Sequence, residues 1–216
     1  MKSIIGVVAT RHKATNTIAE RNRTLFNNLY IVENNTRPLA QVYNEFHSRL
    51  FENSIVVFMH DDVLIEDRFF GNKIRDMKDN AILGLAGATG ELKIPPHGKA
   101  LWHLMCQERS GFVCHPTSND AIASTSFGPS PQRCIIMDGL FLAVDMGKIL
   151  DAGIEFDESN PSIAHFYDLD YCLTANKNKL KMSTVPLNVI HQSPGLRDPN
   201  EQQFNEGNDW FKSKWF

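Results

Sequence analysis

The chain has 216 residues, of which 42% are hydrophobic and 22% charged, with a formal net charge of −3. That composition excludes a disordered chain, and the length suits one α/β domain with a sizeable core. The weak negative balance excludes the electrostatic footprint of a nucleic-acid binder.

Ile4 to Ala9 is a continuous apolar run, as expected of a strand buried on both faces. It is too short for a signal-peptide core, and Arg11, His12 and Lys13 follow it at once, so a cytoplasmic chain is expected. Polar residues from Thr10 to Arg23 lead into a helix toward Asn28. Leu29 to Val32 is a second strand, ending in Glu33, Asn34 and Asn35. Pro38 opens a helix, with Leu39, Val42, Phe46 and Leu50 forming its apolar stripe.

Ile55 to Met59 is a third strand, and it ends abruptly in His60-Asp61-Asp62. Open α/β sheets bind ligands at the carboxyl edge of their strands. Carboxylates at that edge suit a hard divalent cation that also meets substrate phosphates. The run reads either as a metal–nucleotide site or as a solvated acidic turn after a core strand. Side chains alternate along a strand, so His60 is expected to accompany Asp62 while Asp61 points away.

A helix is expected over Asp67 to Lys78 and a fourth strand over Ile82 to Ala86. The resulting β-α alternation predicts a mostly parallel central sheet with helices on both faces. Residues 87–133 show no periodicity and read as an irregular insertion or flap within a single domain spanning 1–216. Regularity returns with strands at Ile135 to Met137 and Asp138 to Asp145, and a short helix over Met146 to Ala152. A helix over Phe166 to Lys177, a strand over Lys181 to Val185 and an apolar strand ending at His191 follow. Residues 195–216 form a tail whose Trp210, Phe211 and Trp215 read as a helix packed on the core, or alternatively as a peripheral membrane contact. Cys106, Cys114, Cys134 and Cys172 have no paired spacing and read as buried free thiols.

Taken together, the strand ending in Glu33-Asn34-Asn35, the His60-Asp61-Asp62 terminus, Asp138 to Asp145, Gly153 to Glu158, Phe166 to Leu173, Val185-Pro186 and His191 resemble the family 2 glycosyltransferases of the GT-A fold. The His-x-Asp form is most similar to the glycosyltransferase-like domain associated with streptomycin biosynthesis clusters. The commoner family 2 pattern has an acid where His60 stands.

The resemblance implies an α/β GT-A fold and an inverting transfer from a nucleotide-diphosphate sugar, a UDP-sugar first among them, to a glycan, lipid-linked or small-molecule acceptor. It implies a divalent metal, Mn2+ or Mg2+, held by His60 and Asp62, with His191 a further metal ligand or a contact to the diphosphate. It makes Asp168 the catalytic base and Asp170 its support; helix capping is the competing role for either. Ala9, Arg11, Glu33, Asn34 and Asp61 would flank the nucleotide, and Asp138 and Gly139 the donor sugar. The cytoplasmic expectation extends to a chain working at the inner membrane surface. Two other functions compete. A nucleotidyltransferase would normally carry a glycine-rich loop after the first strand, where this chain has Ala9 to Ala14 without glycine. A non-catalytic carbohydrate- or partner-binding module on the same fold is the other.

Overall fold

The computed structural model describes residues 1–94, 98–117, 119, 121–192 and 201–216. Two six-stranded sheets make up the frame. The first runs, edge to edge, β11 (Lys181–Thr184), β5 (Asn80–Gly84), β10 (Phe141–Asp145), β3 (Ser54–Met59), β1 (Ser3–Ala9) and β2 (Asn28–Val32). The second runs β4 (Val63–Ile65), β12 (Val189–His191), β7 (Arg109–Pro116), β6 (Ala86–Ala88) and β9 (Ile136–Met137), with β8 (Ile122–Gly128) paired to β7.

The expected mostly parallel sheet is corrected to two mixed sheets. In the first, β10 lies antiparallel between β3 and β5, while the other neighbours pair in parallel. In the second only β12 and β7 pair in parallel. After β5 the chain does not cross back through a helix. It enters the second sheet at the carboxyl edge and returns from there, so β10 runs the opposite way. All six residues of β3 and all five of β10 are buried. A strand buried on both faces carries an unbroken apolar run whichever way it points, so this reversal leaves no mark in composition.

The helices are α1 (Leu39–Asn44), α2 (Phe70–Arg75), α3 (Trp102–Met105), α4 (Met146–Asp151), α5 (Tyr167–Lys177) and α6 (Glu201–Trp215). The helix expected before Asn28 is instead two 3-10 turns, Ala14–Asn16 and Ala19–Leu25. Buried Asn22 pins the second turn to β4, donating to the Val63 carbonyl at 2.8 Å and accepting from the Ile65 amide at 2.9 Å. The stripe from Leu39 to Leu50 also breaks early. Asn44 turns its side-chain amide onto the backbone of Phe156, with both bonds at 2.9 Å, and Leu50 is 88% exposed.

Residues 87–133 are not irregular throughout: they hold α3 and the β7–β8 hairpin. The tail from residue 201 is α6, which buries Phe211 fully and packs Trp210 and Trp215 against the core. The part of the expected tail at 195–200 lies outside the described residues. Among the described residues no helix is long and apolar enough to cross a membrane, and the four cysteines are free thiols.

Candidate active site

The site begins where β3 ends. The His60 amide donates to the Leu140 carbonyl at 3.1 Å, extending the β3–β10 pairing by one step and holding the next residues at the sheet edge. The alternation expected from the strand then holds. Asp61 turns to β1, where its carboxylate accepts the Thr10 hydroxyl, and its carbonyl accepts the Ala19 amide at 3.0 Å. His60 and Asp62 face the other way.

His191 reaches them from the second sheet. β12 pairs antiparallel with β4 in a register that sets His191 opposite Val63, and the Gln192 amide donates to the Asp62 carbonyl at 3.0 Å. His191 Nε2 stands 3.3 Å from Asp62 Oδ1. One ligand atom from each of His60, Asp62 and His191 lies within 4.8 Å of the others.

Among the described residues, Asp62 Oδ1 is buried with His191 Nε2 at 3.3 Å as its neighbour, but without a hydrogen bond of good geometry. A buried oxygen in that state is costly unless something else meets it. Burial pushes the Asp62 carboxyl up, but the His191 and His60 imidazoles outweigh it and hold it below the usual carboxylate range. Burial also lowers the His60 pKa, against the pull of Asp138 and Asp62, and so favours a neutral ring with a lone pair to give. Two imidazoles and one ionised carboxylate, whose Oδ1 lacks a hydrogen bond of good geometry, fit a divalent cation.

A third histidine, His115 of β7, stands beside this group, its ring 5.4 Å from that of His191. His115 Nδ1 lies 3.2 Å from the His191 carbonyl oxygen. A carbonyl only accepts, so Nδ1 carries the proton.

The second half of the site forms where β10 meets α5. The Gly139 amide donates to Asp168 Oδ2 at 2.7 Å, and the Tyr167 hydroxyl donates to the Gly139 carbonyl at 3.1 Å. That hydroxyl also lies 3.4 Å from His60 Nε2, which ties the two halves together. A Cβ on residue 139 would fall 2.5 Å from the Tyr167 hydroxyl and 2.8 Å from Asp168 Cβ, so only glycine admits this approach. Asp138 accepts the Leu140 amide at 2.9 Å and the Trp102 indole N–H at 2.6 Å. Burial and the Asp138 charge push the Asp168 carboxyl up to about 7. That range suits a group that takes a proton near neutral pH.

These residues wall one cleft of about 700 Å³. Ala9, Arg11, Asp61 and Asp138 line it together with His60, Asp62, Asp168 and His191. Gly139, expected beside the donor sugar, is not among the cleft-lining residues; its amide instead holds Asp168. Glu33 and Asn34, expected beside the nucleotide, are not among the cleft-lining residues. Glu33 instead accepts the Ala14 amide at 2.6 Å, and Asn34 takes a left-handed turn with φ 49°. The turn passes the lining position to Asn35. Asp170 is not among the cleft-lining residues: it is buried, accepting from the Trp215 indole and Lys214, each at 2.7 Å.

Sequence reasoning missed Trp102, His115, Tyr167 and Phe204, all of which line the cleft. Trp102 and His115 fall in a stretch without periodicity, and Phe204 lies on a helix far along the chain. Tyr167 alone carried a signal, its place next to Asp168.

A family model described as a glycosyltransferase-like family matches residues 26–207. No curated protein matches the chain. A solved structure, A197 from STIV, is similar with a TM-score of 0.48 at 7% identity, over 92% of this chain and 97% of that one. That likeness is too slight to carry a functional argument. The family match covers most of the chain, including both halves of the cleft, and it implies binding of a sugar donor and an acceptor. The chain belongs to this glycosyltransferase-like family.

Proposed function

We propose that the protein is an inverting, metal-dependent glycosyltransferase that moves a sugar from a nucleotide diphosphate, with UDP first among the candidates, to an acceptor hydroxyl. The observation that carries this reading is the union in one cleft of the His60–Asp62–His191 cluster with Asp168, a carboxyl lifted to about 7. In this reading the acceptor oxygen forms its bond to the anomeric carbon as the bond to the diphosphate breaks. Asp168 takes the hydroxyl proton, and Gly139 N–H keeps its carboxylate aimed. Asp138, fixed by Trp102 and the Leu140 amide, stands ready to hold sugar hydroxyls. Arg11 and Asn35, at the ends of β1 and β2, face the nucleotide side. A divalent cation, Mn2+ or Mg2+, held by His60, Asp62 and His191 supplies charge neutralisation for the departing diphosphate.

The test is a donor panel with Mn2+ present, following nucleotide release with and without acceptors. One nucleotide sugar is expected to turn over, and Asp168→Asn to lower turnover by at least ~10²-fold while donor binding holds. Binding without turnover for every donor would leave a carbohydrate-binding module. Release of pyrophosphate from a nucleoside triphosphate would mark a nucleotidyltransferase.

A further inference from the structure

The residue just ahead of the Tyr167–Asp168 pair is in an unusual state. Phe166 has φ 65° and ψ −8°, a left-handed conformation that a bulky side chain rarely adopts. Such strain persists only where the surroundings over-determine it, and it tends to gather at functional sites. Here the surroundings are largely α6. The Phe166 ring lies 5.2 Å from Phe204 and 5.7 Å, stacked, from Phe211. Between those two residues α6 carries Gly207, where a Cβ would fall 2.8 Å from Phe166 Cδ2 and 2.7 Å from Ser162 Cβ. Glycine in a helix interior is costly, so its place at this contact has a packing reason.

α6 is itself held on both sides of the cleft. Asn208 accepts the Ala100 amide at 2.7 Å and donates to the Gly98 carbonyl at 3.0 Å, just ahead of Trp102. Near the other end, Lys214 and Trp215 grip Asp170, and Lys214 also reaches Asp157 at 2.6 Å. Asp170 N–H donates to the Phe166 carbonyl at 3.0 Å, so the strained residue is also the first acceptor of α5. A change of φ at residue 166 would re-aim the Tyr167–Asp168 peptide directly.

We infer that α6 is a positioning clamp: Gly207 and Phe211 hold Phe166 left-handed and thereby set Asp168 on the Gly139 amide. The inference rests on the proposed role of Asp168 only for its effect on turnover. Its structural content is read separately, from the Gly139 amide that donates to Asp168.

The experiment compares Gly207→Ala, which wedges a methyl under Phe166, and Phe211→Leu, which keeps the core apolar but removes the stacked ring. Asn205→Ala, on the exposed side of α6, is the control. Amide hydrogen exchange of Gly139 is measured by NMR alongside transfer kinetics. Both test variants are expected to speed Gly139 exchange by about tenfold or more and to lower kcat by a similar factor, with donor KM unchanged and the control like wild type. Wild-type Gly139 exchange in both variants overturns the clamp, whatever the kinetics. Faster Gly139 exchange with unchanged kcat supports the clamp and removes Asp168 from the chemistry.

Discussion

Asp168 and Asp170 show how environment divides two identical side chains. They lie two positions apart at the start of a helix, and so point to different sides of it. Burial and the field of Asp138 outweigh the backbone amides that Asp168 accepts, the Gly139 amide first among them, and its carboxyl rises to about 7. Asp170 meets an ammonium and an indole and serves as an anchor. The sequence alone can separate the two faces. It cannot say which face looks into a cleft, because that depends on α6, far along the chain. The Asp168 shift has a consequence for stability. A folded-state pKa raised above the unfolded value contributes stability that is present below about pH 4 and is lost as pH rises through about 7. Asp168→Asn has no charge to bury and keeps an oxygen for the Gly139 amide. At pH 8 it is expected to be more stable than wild type by up to ~4 kcal/mol, roughly 8–16 °C in Tm for a chain of this size. At pH 4 the two should melt together. Thermal melts at both values check this, and a variant less stable at pH 8 would refute the raised pKa.

The central strands β1, β3, β5 and β10 of the first sheet were legible because burial on both faces leaves unbroken apolar runs, as in Ile55 to Met59. The β7–β8 hairpin was not. β8 reads Ile-Ala-Ser-Thr-Ser-Phe-Gly and is exposed or half-buried throughout, so no apolar alternation marks it. Yet this hairpin brings His115 to the His60–Asp62–His191 cluster and Phe127 against Trp102, their rings 4.8 Å apart in an edge contact. Because Trp102 in turn holds Asp138, the hairpin touches both halves of the cleft. An element with few buried residues opens locally at little cost. Bound nucleotide and cation would add contacts to its inner strand. Exchange protection over 109–116 is therefore expected to rise when UDP and Mn2+ are present together, and the buried strands β3 and β10 to stay unchanged. Equal protection with and without them would mark the hairpin as a fixed wall.

The two sheets meet at the His60–Asp62–His191 cluster. His60 and Asp62 follow β3 of the first sheet, whereas His191 closes β12 of the second. The β4–β12 pairing brings them together, but it is a register of only three residue pairs. A cation shared by these side chains would therefore act as a cross-link between sheets, and its binding energy would appear as global stability. At a free concentration about 100 times its Kd, one bound ion adds ~2.7 kcal/mol. For a chain of this size that corresponds to roughly 5–10 °C in Tm. Mn2+ is expected to produce such a rise and EDTA to reverse it. His191→Ala removes the second sheet's ligand while leaving the backbone pairing of β12 in place, so its metal-free Tm should stay within a few degrees of wild type and the Mn2+ increment should vanish. His115→Ala, which leaves all three ligands in place, should keep the increment. A full Mn2+ increment in His191→Ala would show that the ion binds elsewhere, and with it the proposed assignment of the cluster would fall.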